Sequence, residues 1–105
     1  MSLKNDISLW IKDYVDNNNL ETLVVGISGG IDSAVTSTLC AMSGCKTVAI
    51  TLPIHQNPDE TNRGKEHCTW LSDKFENVDI LHIDLTSIYE QFLLRKLFFS
   101  IFLFL

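Results

Sequence analysis

Apolar residues recur at Leu3, Ile7, Trp10, Ile11, Tyr14 and Val15, a spacing of i, i+4, i+7, i+8, i+11 and i+12. That spacing predicts one apolar face of an amphipathic helix, with Trp10 and Tyr14 expected in the core. Asn17, Asn18 and Asn19 should end it, because Asn tolerates left-handed backbone at a helix C-terminus. Leu23 to Ile27 is then a short, nearly continuous apolar run. Such runs suit a strand buried on both faces of a parallel sheet. A helical segment follows from Ala34 to Met42, expected to turn Ala34, Val35, Leu39 and Met42 inward, with Gly44 as its C′ residue.

The same alternation continues. Thr47 to Leu52 reads as a second strand ended by Pro53. Asn57-Pro58-Asp59-Glu60 reads as a helix start, with Asn57 as N-cap, Pro58 at N1 and Glu60 reaching back. That helix should run to about Phe75 with Cys68, Leu71 and Phe75 inward. Val78 to Leu85 holds a third strand, and Ser87 to Glu90 resembles another capping box. The order α-β-α-β-α-β-α predicts an α/β fold, a parallel sheet with helices on both faces and right-handed crossovers. Ligands of such sheets sit at the carboxyl ends of the strands.

A length of 105 residues allows one small domain. A net charge of −5 argues against a nucleic-acid surface or an anionic-membrane surface. Any small anion must therefore be held by local groups. The three cysteines, Cys40, Cys45 and Cys68, form no CxxC pair, which favours packing roles and a reducing, cytoplasmic setting. The first residues lack the apolar core of a signal peptide, and no stretch reaches the roughly 20 apolar residues of a bilayer span.

The chemistry concentrates in Gly26-Ile27-Ser28-Gly29-Gly30-Ile31-Asp32-Ser33, between the first strand and the second helix. Glycines there leave backbone N–H groups free to face an anion, and the helix dipole points its positive end at the same spot. Three glycine-loop patterns compete. The dinucleotide fingerprint needs glycine where Ser28 and Ile31 stand. The Walker A loop needs a lysine where Asp32 stands. The nucleophile elbow G-x-S-x-G is met by Gly26 to Gly30, but its acid and histidine would have to come from Asp79, Asp84 and His82. His82 and Asp84 share a strand face that Asp79 does not, and nothing upstream resembles an oxyanion loop. Asp59 and Glu60 could form a metal pair, although first-turn carboxylates are ordinary helix-start chemistry.

Ser28-Gly29-Gly30-Ile31-Asp32-Ser33 resembles the S-G-G-x-D-S signature of the ATP pyrophosphatases, the PP-loop or adenine nucleotide α-hydrolase-like enzymes. With the preceding helix, the Val24 to Val35 segment, the Leu52-Pro53 strand end and Tyr89-Glu90-Gln91-Phe92, the chain is similar to the NH3-dependent NAD synthetases over roughly residues 1–93. Other amidating or tRNA-thiolating PP-loop enzymes share the loop, and an inactive nucleotide-binding fragment is the non-enzymatic alternative. The resemblance implies a Rossmann-like fold and amidation of deamido-NAD with ATP through an adenylate, releasing AMP and pyrophosphate. It implies a cofactor-binding loop of Gly26, Ile27, Ser28, Gly29, Gly30, Ile31, Asp32 and Ser33. Ser28, Gly29, Gly30 and Ser33 would be phosphate donors and Asp32 a Mg2+ ligand, with no protein nucleophile. It places adenine near Leu52, with His55 at that edge. It also implies ammonia as the nitrogen source and a homodimer.

Family members are more than twice this length, so the resemblance makes the chain a truncated, N-terminal part of the ATP pyrophosphatase domain. From Leu94 the character changes. Residues 94–105 form an apolar tail without polar face, cap or turn signal, and one reading is out-of-frame translation of an A/T-rich gene. The alternatives are a buried terminal strand or a partner-docking segment.

Overall fold

A computed structural model describes residues 2–54 and 57–104, with side chains as far as Arg95. Seven elements follow in order: α1 (Leu3–Asn17), β1 (Leu23–Gly26), α2 (Ile31–Met42), β2 (Thr47–Thr51), α3 (Pro58–Lys74), β3 (Val78–His82) and α4 (Thr86–Phe104). The strands form one parallel sheet in the order β1-β2-β3. Two right-handed crossovers stepping in one direction put their helices on the same side. Accordingly α2 and α3 both pack on the sheet, and α1 packs outside α2.

Burial follows strand alternation. Thr47, Ala49 and Thr51 of β2 are buried, whereas Val48 and Ile50 are only half-buried. By register, Val24 and Leu81 share the side of Val48 and Ile50, and both are exposed. The core therefore lies between the sheet and the two crossover helices: Ile27, Ala41, Ala49, Cys68, Leu71 and Val78, with Val25 and Phe75 against it. Burying Leu71 completely contributes about 1.5–3 kcal/mol.

Local signals behave as their chemistry requires. Asn19 takes a φ of 54° after α1, and Gly44 takes 81° after α2. Asn57 Oδ1 accepts from the Asp59 N–H at 2.8 Å, with Pro58 in the first turn of α3. The expected third strand is shorter, stopping at His82. Asp84 Oδ1 accepts from the Thr86 N–H at 2.8 Å, so α4 begins at Thr86, ahead of the Ser87 start. α4 then runs through residue 94 without a break.

Two core assignments fail. Trp10 and Tyr14 are exposed and pack on each other, with ring centroids 5.6 Å apart. α1 is an outer layer that reaches α2 through a narrow seam, where Val15 and Ser8 are buried and Ser8 Oγ donates to the Leu39 carbonyl. In α2 the buried face is Ser37, Cys40 and Ala41, not Ala34, Val35, Leu39 and Met42. Those four line an apolar groove of about 380 Å3 with Lys4, Thr38, His67 and Trp70. A third helix packed against α2 through its less hydrophobic side, which periodicity alone does not reveal.

Candidate phosphate-binding loop and its relatives

The loop begins where β1 stops being a strand. Ile27 N–H still donates to the Ile50 carbonyl at 2.8 Å, and its side chain is buried. Residues 28–30 then turn the chain away, and Gly30 is the N-cap of α2 without any side-chain cap bond. The first-turn N–H groups of α2, from Ile31 to Ser33, thus face the loop with no carbonyl of their own helix to bond.

Two hydroxyls shape the turn. Ser33 Oγ accepts from the Ser28 N–H at 3.1 Å and donates to the Gly30 carbonyl at 3.2 Å. Ser28 Oγ accepts from the Gly30 N–H at 3.2 Å and lies 3.1 Å from Ser33 Oγ. One assignment satisfies the set, with the Ser28 O–H donating to Ser33 Oγ. The loop is therefore closed around its own serines. The Ser28 and Gly30 amides are thus engaged by hydroxyls of the loop itself.

Gly29 has a φ of 92°, a left-handed setting that L side chains rarely adopt. Space enforces the same choice, because a Cβ there would lie 2.3 Å from the Glu60 carbonyl oxygen of α3. Gly26 has nothing within 4 Å of a Cβ position. It opens onto a cleft of about 310 Å3 lined by Gly26, Ile27, Ser28, Ile50 and Leu52. Gly26, Ile27 and Ser28 thus border one space with Ile50 and Leu52 at the carboxyl ends of β1 and β2, while Gly29 to Ser33 lie outside its lining. Asp32 is exposed at the start of α2. Among the described residues no three His, Cys, Asp or Glu side chains gather as a metal cluster. His55 lies outside the described residues.

The sheet order removes the hydrolase reading. β2 stands between β1 and β3, which sets His82 two strand spacings, roughly 10 Å, from the line of β1. His82 Nδ1 pairs with Thr51 Oγ1, and Asp84 caps α4.

The family model described as NAD synthase matches residues 3–97. The chain belongs to the NAD synthase family. It is 37% identical over 79 residues to an NH(3)-dependent NAD(+) synthetase of Finegoldia magna, covering 74% of this chain and 33% of that protein. The NMN synthetase structure from Francisella tularensis superposes with a TM-score of 0.79 at 30% identity, covering 89% of this chain and 37% of that one. The NH3-dependent NAD synthetase of Campylobacter jejuni, solved with nitrate, gives a TM-score of 0.74 at 26% identity, over 88% and 39% of the two chains. The chain spans about a third of the length of the curated relatives it matches.

Within this family architecture, sequence reading overlooked three residues behind the loop. Gly64, inside α3, is buried, and a Cβ there would meet the Gly29 nitrogen at 3.5 Å and Ile27 Cγ2 at 3.6 Å. The available signal was a glycine inside a helical pattern. Ser37, fully buried, lies 2.9 Å through its Oγ from His67 Nε2. A polar pair thirty residues apart leaves no signal in a single sequence. Burial pushes the His67 imidazole below its ordinary value, and a contact with the Ala34 carbonyl partly offsets this.

Proposed function

We propose that this chain carries the ATP-handling N-terminal part of an NAD synthetase, with residues 1–93 forming that part and 94–105 an apolar appendage. The reaction is ATP-dependent amidation of deamido-NAD, a ligase reaction of NAD biosynthesis. The nicotinate carboxylate attacks the α-phosphorus of ATP, the bond to the β-phosphate breaks, and pyrophosphate leaves. Ammonia then attacks the acyl carbon of the adenylate and AMP departs, giving the carboxamide. The observation that carries this reading is the closed Ser28–Ser33 loop at the N-terminus of α2, beside the cleft opened by Gly26.

The protein's part in that chemistry is positioning and charge stabilisation. The α2 first-turn amides and the two serine hydroxyls supply donors for the β- and γ-phosphates. The Gly26–Leu52 cleft receives the adenosine end. Mg2+, a hard cation suited to carboxylate and phosphate oxygens, would be held by Asp32 and would neutralise charge on the departing pyrophosphate. The working protein is a cytoplasmic homodimer in this reading, and groups from the remainder of the family architecture close over the ATP. The F. tularensis likeness favours a second product, NMN, through the same adenylation.

Binding of ATP to the 105-residue chain, titrated with and without Mg2+, tests the site. Asp32→Ala should weaken binding in Mg2+ by about tenfold, the scale of one charge-assisted contact, and leave the metal-free affinity nearly unchanged. Equal Mg2+ dependence in both proteins refutes the role of Asp32. Supplying deamido-NAD or nicotinate mononucleotide with ATP and ammonia to a full-length assembly of this family containing the segment discriminates the two products.

A further inference from the structure

Gly64 sits inside α3, with neither turn nor cap to make. A glycine in a helix interior costs about 1 kcal/mol against alanine, and here it marks where α3 passes directly beneath the loop. A Cβ at position 64 would touch the Gly29 nitrogen at 3.5 Å and Ile27 Cγ2 at 3.6 Å, ordinary contacts that fit an alanine and crowd anything larger. One turn earlier the Glu60 carbonyl fills the place of a Gly29 Cβ, and one turn later His67 reaches Ser37. Positions 60, 64 and 67 lie on one helix face. On α2, Ser33 closes the loop while Ser37, one turn on, meets His67. The loop is thus set between two helices that a half-buried polar contact joins. Ser37 Oγ also donates to the Ala34 carbonyl at 3.1 Å, so Ser37 stays fixed on α2 while it receives His67 from α3.

We propose that the Glu60–Gly64–His67 face of α3 is the wall that sets the backbone of the phosphate loop, and that His67, acting through Ser37, is the positioning residue that holds this wall. The geometry stands by itself; its consequence for ATP rests on the loop reading above. His67 touches no ligand. It fixes the spacing of α2 and α3, and that spacing fixes where Gly29 can lie. The contacting atom is Nε2, so glutamine, whose terminal amide reaches equally far, replaces it, whereas asparagine is one methylene short.

The test uses the whole chain, with His67→Asn, His67→Gln and Ser37→Ala. Two readouts are taken well below each unfolding midpoint: amide chemical shifts of Gly29 and Gly30 without ligand, and affinity for ATP with Mg2+. His67→Asn and Ser37→Ala should move the Gly29 amide and weaken ATP by about tenfold, while His67→Gln stays within about twofold of the parent. Lowered thermal stability with an unmoved Gly29 amide overturns the proposal, because a merely structural contact predicts that result. If the parent chain binds no ATP, the loop reading fails, and the amide shifts still decide the positioning role. If His67→Asn does not fold, Gly64→Val presses on the same wall. It must shift the Gly29 amide, and an unshifted resonance overturns the proposal.

Discussion

Replacing Gly29 by alanine separates two costs that the loop combines. The first is conformational, since a side chain at a φ of 92° is strained by about 1–3 kcal/mol. The second is steric. The added Cβ would stand 2.3 Å from the Glu60 oxygen, 3.1 Å from its carbon and 3.4 Å from its Cα. All three are helix backbone, which has no rotamer to yield. Displacing packed structure to make room costs about 1–3 kcal/mol more. The sum, roughly 2–6 kcal/mol, is a large share of the 5–15 kcal/mol by which such domains are stable. Thermal unfolding followed by circular dichroism should show a midpoint lower by on the order of 10–20 °C. Gly44→Ala is the control, because Gly44 has a φ of 81° and nothing within 4 Å. It should lose only the conformational part. Gly26→Ala, with neither a left-handed φ nor a neighbour, should lose little. Equal losses at Gly29 and Gly44 would refute the contact with α3. If the loop instead lifts away from α3 to relieve the clash, ATP affinity falls even where the midpoint does not.

Ser33→Ala removes the acceptor of the Ser28 N–H and the donor to the Gly30 carbonyl; exposed as the loop is, stability should drop by only about 0.5–1.5 kcal/mol, while calorimetric titration with ATP shows a larger loss than Asp32→Ala shows in the absence of Mg2+. His67 carries a pH signature. Its folded value lies below the unfolded 6.5, so the unfolded state binds the extra proton first, and stability is full above pH 6.5 and declines as pH falls through the folded value. Urea midpoints measured from pH 8 to pH 5 should show this decline, reduced in His67→Gln. Burial pushes the Cys40 and Cys68 thiols up, which lowers their thiolate fraction. Brief alkylation of the native chain followed by mass spectrometry should therefore label the half-buried Cys45 first, and early labelling of Cys68 would contradict the core.

The loop and the order of elements were readable in the chain because both depend on local chemistry. Gly26 to Ser33 act within one turn, and their geometry is set by φ preferences, two hydroxyls and the start of a helix. The Asn57 cap and the left-handed Asn19 and Gly44 are equally local. The hydrophobic runs of β1 and β2 announced parallel strands, but the helices expected on both faces are α2 and α3 on one face, and Val24 and Leu81 stay exposed on the other. Trp10 and Tyr14 misled in the same way: an apolar stripe shows that a helix has a sticky face, not that a neighbour covers it.

By itself, then, the sequence determined which segments are strands and helices, where the glycine-rich loop lies and which family it resembles. Only the tertiary structure decided that α3 is the loop's other wall. The close approach of Glu60 and Gly64 to Gly29, and the contact of Ser37 with His67, join residues about thirty positions apart. They arise when the second crossover returns α3 to the side of the sheet that α2 already covers. Such contacts depend on helix spacing and backbone approach, and no local period or motif encodes either.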